Sequence, residues 1–148
     1  APGGFLGRRN YEQHILAYER RQIELAQASG TPAIYHNFGQ VMQLVESYKS
    51  LGVVGVEPFS PPPQLGDADL AKVKELVGGD YVVVGGVDQV LVIQRGTVDD
   101  VRRVTARTME IGKPGGHFIL QNAEFLEYGT PPENVEAFVK AAIEHAGY

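Results

Sequence analysis

Four short apolar runs alternate with helical stretches along the chain, and this alternation limits the fold more than any other feature. The runs are 33–38, 53–57, 81–84 and 117–121. Three of them are rich in β-branched and aromatic residues, the composition that suits a pleated, half-buried strand. Around them the spacing predicts five helices. The first follows Asn10, with Gln13 completing a capping-box spacing. It runs to Gly30 with Tyr11, Ile15, Tyr18 and Leu25 on one face. The second carries Val41, Leu44, Val45 and Tyr48 at helical intervals. The third stands behind Asp67 as N-cap and buries Leu70, Val73 and Val77. The fourth opens at Thr97, places Asp99 and Asp100 against the positive end of the helix dipole, and buries Val101, Val104 and Ile111. The last begins at Thr130-Pro131-Pro132-Glu133, a capping box with early prolines, and packs through Val135, Phe138, Val139 and Ala142.

Strands that alternate with helices form parallel βαβ units, and a parallel sheet needs both faces covered. An open doubly wound sheet and a barrel both satisfy this. No Gly-x-Gly-x-x-Gly follows the first strand and no phosphate loop is present, which argues against the nucleotide-binding form. The reading is therefore an α/β fold of about four βα units preceded by a helix. That is half of a TIM (β/α)8 barrel, in one domain over residues 1–148. Residues 58–63, rich in proline, form a stiff connection rather than a linker.

Charge narrows the partners. A net charge of −5 disfavours nucleic acid, and the arginine pairs 8–9, 20–21 and 102–103 are too scattered to make a basic surface. No apolar run reaches membrane-spanning length and no signal-peptide pattern precedes the first helix. Cysteine is absent, so disulfides and thiolate metal sites are excluded. A reducing, cytoplasmic setting fits. The first residue is Ala1 rather than Met, which fits a processed form or a fragment.

In parallel α/β folds the binding site lies beyond the carboxyl ends of the strands. Each run here ends in polar groups: His36 and Asn37, then Glu57, then Gly85, Gly86, Asp88 and Gln89, then Gln121, Asn122 and Glu124. Four in succession would gather at one rim. His36, Glu57 and Glu124 are the candidate catalytic residues; Asn37, Gly86, Asp88, Gln89, Gln121 and Asn122 are the candidate substrate-binding set. Each has a plainer role open to it. Asp88 after two glycines suits a turn or an N-cap. The glycines suit positive φ or a close backbone approach. Glu124, beside Phe125 and Leu126, is placed for acid–base use if its surroundings are apolar.

The motifs Tyr-His-Asn-Phe-Gly at 35–39, Gly-Gly-Val-Asp-Gln at 85–89 with Arg95-Gly96-Thr97, and Gly-Thr-Pro-Pro-Glu-Asn-Val at 129–135 resemble the uroporphyrinogen decarboxylase superfamily. The resemblance implies a TIM barrel of which this chain is the C-terminal half. Its details are closer to the cobamide-dependent methyltransferase branch than to the decarboxylase. It implies methyl transfer involving a corrinoid, with His36 and Glu124 positioning or deprotonating the acceptor. Decarboxylation of a tetrapyrrole, or a non-catalytic subunit with a vestigial pocket, are the alternatives. Members of the methyltransferase branch carry a His-x-Cys motif and a later Cys that bind zinc. Here Phe38 stands at the first position, and the later one falls near Ala123 or Glu124. Zinc through thiolates is therefore excluded, and His36, Glu57 and Glu124 are the remaining oxygen and nitrogen donors. The expected partners are a small molecule or a corrinoid protein. A second copy or an N-terminal half would complete the barrel, since a four-stranded half leaves two open edges.

Overall fold

The computed structural model describes residues 3–63 and 66–147. Its elements run α1 (Gly3–His14), α2 (Leu16–Gln27), β1 (Ile34–His36), α3 (Val45–Tyr48), β2 (Gly55–Phe59), α4 (Leu70–Val77), β3 (Val82–Val87), α5 (Val98–Gly112), β4 (Phe118–Asn122) and α6 (Pro132–Glu144). A 3-10 turn at Lys49–Leu51 extends α3, and a π-helical turn at Gln89–Gln94 follows β3. The four strands are parallel and lie in chain order, β1-β2-β3-β4. Such an order puts every helical connection on the same side, because βαβ crossovers share one hand. The alternating α/β fold is that of four consecutive units of a (β/α)8 barrel.

Side-chain alternation gives the sheet two different faces. Tyr35, Val56, Val83 and Phe118 turn toward the helices and join the core with Leu44, Val45, Tyr48, Val73 and Val77. Ile34 and Ile119 turn the other way and stay 55% and 52% exposed. Burying a Leu- or Val-sized side chain is worth about 1.5–3 kcal/mol, so the helical layer carries the stability of the unit.

Several local expectations needed correction. The first helix does not start at Asn10: helical structure begins at Gly3, kinks at Gly7, breaks at Ile15, and leaves Asn10 exposed within α1. Tyr11 is fully buried, edge-on to Tyr48 at 5.8 Å, and this packing overrides the cap signal. Of the apolar face expected there, Tyr18 and Leu25 point to solvent, and Ile23 is buried instead. The second helix shortens to α3, with Val41 and Leu44 buried in the turn before it.

Asp69, not Asp67, caps α4 by accepting from the Lys72 N–H. Asp67 Oδ1 accepts from Val41 N at 2.7 Å and Met42 N at 3.1 Å, so it caps the turn before α3. At Thr97 the full capping box forms, and hydrogen bonds from Thr97 together with Arg103 hold the Asp100 carboxyl down at about 2. No such box forms at α6, where Thr130 Oγ1 donates to Glu127 O and Pro131 takes the cap position. That helix buries Asn134, Ala137 and Ala141, one step round from the face expected, and leaves Val139 48% exposed. Strand β3 also continues through Gly85 and Gly86 to Val87 rather than ending at Val84.

Candidate functional site

The carboxyl ends of the strands bring some of the expected residues together and keep others apart. Register pairs His36 of β1 with Glu57 of β2, and paired positions in parallel strands project to the same face. His36 Nδ1 lies 3.6 Å from Glu57 Oε1, with the two side chains 57% and 32% exposed. At that distance the pair is an electrostatic contact rather than a hydrogen bond, and a small side-chain rotation closes it.

His36 is held by its neighbours. Tyr35, on the other face of β1, donates to Glu19 Oε1 at 2.9 Å, and Tyr11 donates to the other Glu19 oxygen at 2.7 Å. Asn37 is fully buried; its N–H donates to Glu57 O, and its Oδ1 accepts from Tyr48 at 2.6 Å. Desolvation drives the Tyr11, Tyr35 and Tyr48 hydroxyls well above their ordinary titration range, so they act as permanent donors. Asn37 therefore faces the helical layer, away from the exposed imidazole of His36.

Gly85 and Gly86 carry φ values of 142° and 126°, a region side chains avoid. A Cβ at Gly85 would meet the Phe59 backbone N at 2.6 Å, and one at Gly86 would meet Thr108 Cγ2 at 2.6 Å. These glycines let β3 close onto β2 and α5. Asp88 is buried and caps the π-helical turn, accepting from Val90 N at 2.8 Å and Leu91 N at 2.7 Å. The Gln89 side chain is buried at 2% exposure. Gln121 and Asn122 end β4 half-buried, and the Asn122 amide donates to Glu124 O.

The Glu124 segment is fastened by Ala123 N to Val87 O at 2.7 Å and by Ser60 Oγ to Ala123 O at 3.3 Å. Glu124 Oε1 is buried and has no hydrogen-bond partner among the described residues. A buried carboxylate oxygen without a donor costs free energy unless something supplies one. Glu124 follows β4, the edge strand opposite β1 in the sheet order, while its neighbour Ala123 is tied to Val87 at the end of β3 and to Ser60 just after β2. The rim thus carries a His36–Glu57 pair and, after β4, a Glu124 with one unmet oxygen.

Sequence reasoning missed the Glu19–tyrosine cluster, because Glu19 lies mid-helix with nothing local to mark it. It also missed Asn134, whose Nδ2 donates to Ile93 O and Gly96 O and ties α6 to the π-helical turn.

Donor chemistry rules on the zinc that the resemblance brings to mind. The chain has no cysteine, and Phe38 follows His36 where a thiolate would be needed. His36, Glu57 and Glu124 do not converge, and no group of three or more His, Asp or Glu among the described residues could hold a metal ion. The residues do not fit that centre.

Parallel βα units with a polar rim at the strand ends define a barrel-type α/β unit with its site at the carboxyl face. The chain belongs to the uroporphyrinogen decarboxylase family, whose model matches residues 1–145. A curated relative, the methylated-thiol–coenzyme M methyltransferase of Methanosarcina mazei, is 26% identical over 144 residues. That match covers 97% of this chain and 35% of the relative, so the chain spans about a third of its length. A solved methyltransferase structure from Methanosarcina mazei superposes with a TM-score of 0.80 at 20% identity, covering 99% of this chain and 40% of that one. At that identity the likeness speaks for the fold. No helix among the described residues is long and apolar enough to cross a membrane.

Proposed function

We propose that the rim serves methyl transfer from a corrinoid to a nucleophilic acceptor, with His36 as the proton acceptor and Glu57 as its electrostatic partner. The observation that carries this reading is the exposed His36–Glu57 contact at 3.6 Å, on the face turned away from the helices. With no thiolates in this chain to hold a zinc ion, acceptor activation falls to a base, and the exposed imidazole beside a carboxylate is placed to be one. A bound corrinoid would supply the methyl group and keep the electron pair of the bond that breaks, while His36 would take up the acceptor's proton. Glu124, with its partnerless buried oxygen, would receive an N–H or O–H of the bound ligand. Gln121 and Asn122 would flank it, and Gly86, Asp88 and Gln89 would keep the β3 loop in place, with Asn37 fixing the backbone beside His36.

The surface of the rim suits a large donor with an apolar body. Exposed Phe38, Phe125, Leu126 and Tyr128 around the rim offer apolar surface for it. The wider assembly would be a completed barrel, with further strands on β1 and β4 from a second copy or an N-terminal half, working with a small-molecule acceptor or a corrinoid protein.

The test is a titration of the chain with methylcobalamin, read by visible absorption, followed by addition of thiol and amine acceptors. Demethylation that falls by about 10²–10⁴-fold in His36→Gln is expected. No spectral change at saturating corrinoid, with or without a supplied complementary half, would sink the reading. A response to a carboxylated porphyrinogen instead would favour the decarboxylase chemistry for which the family is named. Silence toward both classes would favour a non-catalytic subunit.

A further inference from the structure

On the helix side of the sheet, at the carboxyl end of β3, the packing leaves a cavity of about 310 Å³. That is the lower end of the range for small-molecule sites, roughly 300–1,000 Å³. Gly86 contributes backbone to it, Leu70 of α4 and Val104 and Ile111 of α5 give apolar walls, and Leu91 stands 38% exposed beside it.

The polar groups of the lining decide what kind of ligand fits. Asp88 is fixed in place, because its Oδ1 accepts from two backbone N–H groups of the π-helical turn. Thr108 is committed, donating from Oγ1 to Val104 O at 2.9 Å. Arg107 differs. Its neighbours on α5, Arg102 and Arg103, pair with Glu144 at 3.3 Å and Asp100 at 2.6 Å. Arg107 is exposed, lines the mouth of the cavity and takes part in none of the ion pairs or side-chain hydrogen bonds found among the described residues. An open apolar pocket with an uncommitted guanidinium at its mouth selects an anion with a hydrocarbon body, and the planar fork of arginine matches a carboxylate.

We propose that this cavity binds a small organic carboxylate, with its hydrocarbon body against Leu70, Val104 and Ile111 and its carboxylate on Arg107. The site lies on the side of the sheet away from the His36–Glu57 pair, is built from this chain alone, and does not rest on the methyl-transfer reading.

Titration of the chain with phenylacetate and with its neutral amide, followed by amide-resolved NMR, tests the proposal. Phenylacetate is expected to shift the backbone signals of Leu91, Arg107 and Thr108, and to bind at least about tenfold tighter than the amide. Arg107→Gln is expected to erase that preference. Val104→Phe, which fills the cavity and leaves the charge in place, is expected to abolish binding of both probes. Should that variant lose the native spectrum, Leu91→Glu beside the cavity is the second one, expected to weaken the acid and spare the amide. Equal binding of acid and amide, unchanged binding in Arg107→Gln, or shifts confined to the His36 face would each overturn the assignment. So would an absence of shifts at millimolar probe.

Discussion

Tyr35 and His36 are neighbours in the chain and lie on opposite faces of β1, and their surroundings differ in almost every respect. Tyr35 sits in the helical layer, its ring 5.0 Å from that of Tyr48 and its hydroxyl on Glu19. His36 stands 57% exposed, with Glu57 at 3.6 Å. The covered face turns its polar groups into structure by pairing them away from water, where an unmade bond is costly. The opposite face leaves its polar groups accessible, so they are available for chemistry and contribute little to stability. A one-residue shift of β1 would exchange the two sets, which is why the anchored tyrosines matter to the site.

The sharpest way to break this comparison is to remove bulk from the covered side. Leu44→Ala is expected to cost about 2–5 kcal/mol in denaturant unfolding, since Leu44 is fully buried in the layer that carries the core. A cost below about 1 kcal/mol would mean that the helical layer is not what holds the unit together. Next comes Tyr48→Phe, which leaves Asn37 Oδ1 buried without its 2.6 Å donor and is expected to cost about 1–3 kcal/mol. If the anchoring argument is right, the His36 imidazole signals in NMR move in this variant although the substitution is on the far face. Unmoved signals would separate the two faces.

A smaller effect is expected at the start of α5. Thr97→Ala removes the cap and should cost about 0.5–2 kcal/mol by thermal unfolding. Asp100 titrates at about 2 when folded, below its usual value near 3.8. Its contribution is therefore present above the unfolded value and fades as pH falls toward about 2. Thr97→Ala should flatten that part of the acid stability profile. The smallest change is expected on the opposite face. Ile34→Ser, at a residue 55% exposed, should alter the stability of the isolated chain by no more than about 0.5 kcal/mol. A much larger loss that grows with protein concentration would show that another copy covers this face in solution.

Much of the fold was legible because it depends on local signals. Four β-rich runs separated by helical spacing imply parallel units whatever the tertiary detail, and Thr97 takes the N-cap position its place before the acidic first turn implies. The rim was legible in outline, since parallel units always deliver their strand ends to one side. Expectations failed where two similar residues competed for one role. Asp67 and Asp69 are equally good caps by spacing, and packing gave α4 to Asp69 while Asp67 took Val41 and Met42. Asn10 had the pattern of a helix start, yet Tyr11 beside it was needed in the core.

By itself, then, the sequence determined the alternation of strands and helices, the polar residues at each strand end and, through its lack of cysteine, the exclusion of thiolate-held zinc. These are properties of residue type and spacing, which need no partner to exist. Only the tertiary structure decided which polar groups share a face and which are already committed. It paired His36 with Glu57, turned Asn37 inward to Tyr48 and left Glu124 Oε1 buried without a donor. It also left Arg107 uncommitted beside a cavity that no motif marks. Those outcomes depend on register, strand order and the competition of buried donors and acceptors for partners distant in the chain, and none of these is written in any one stretch of it.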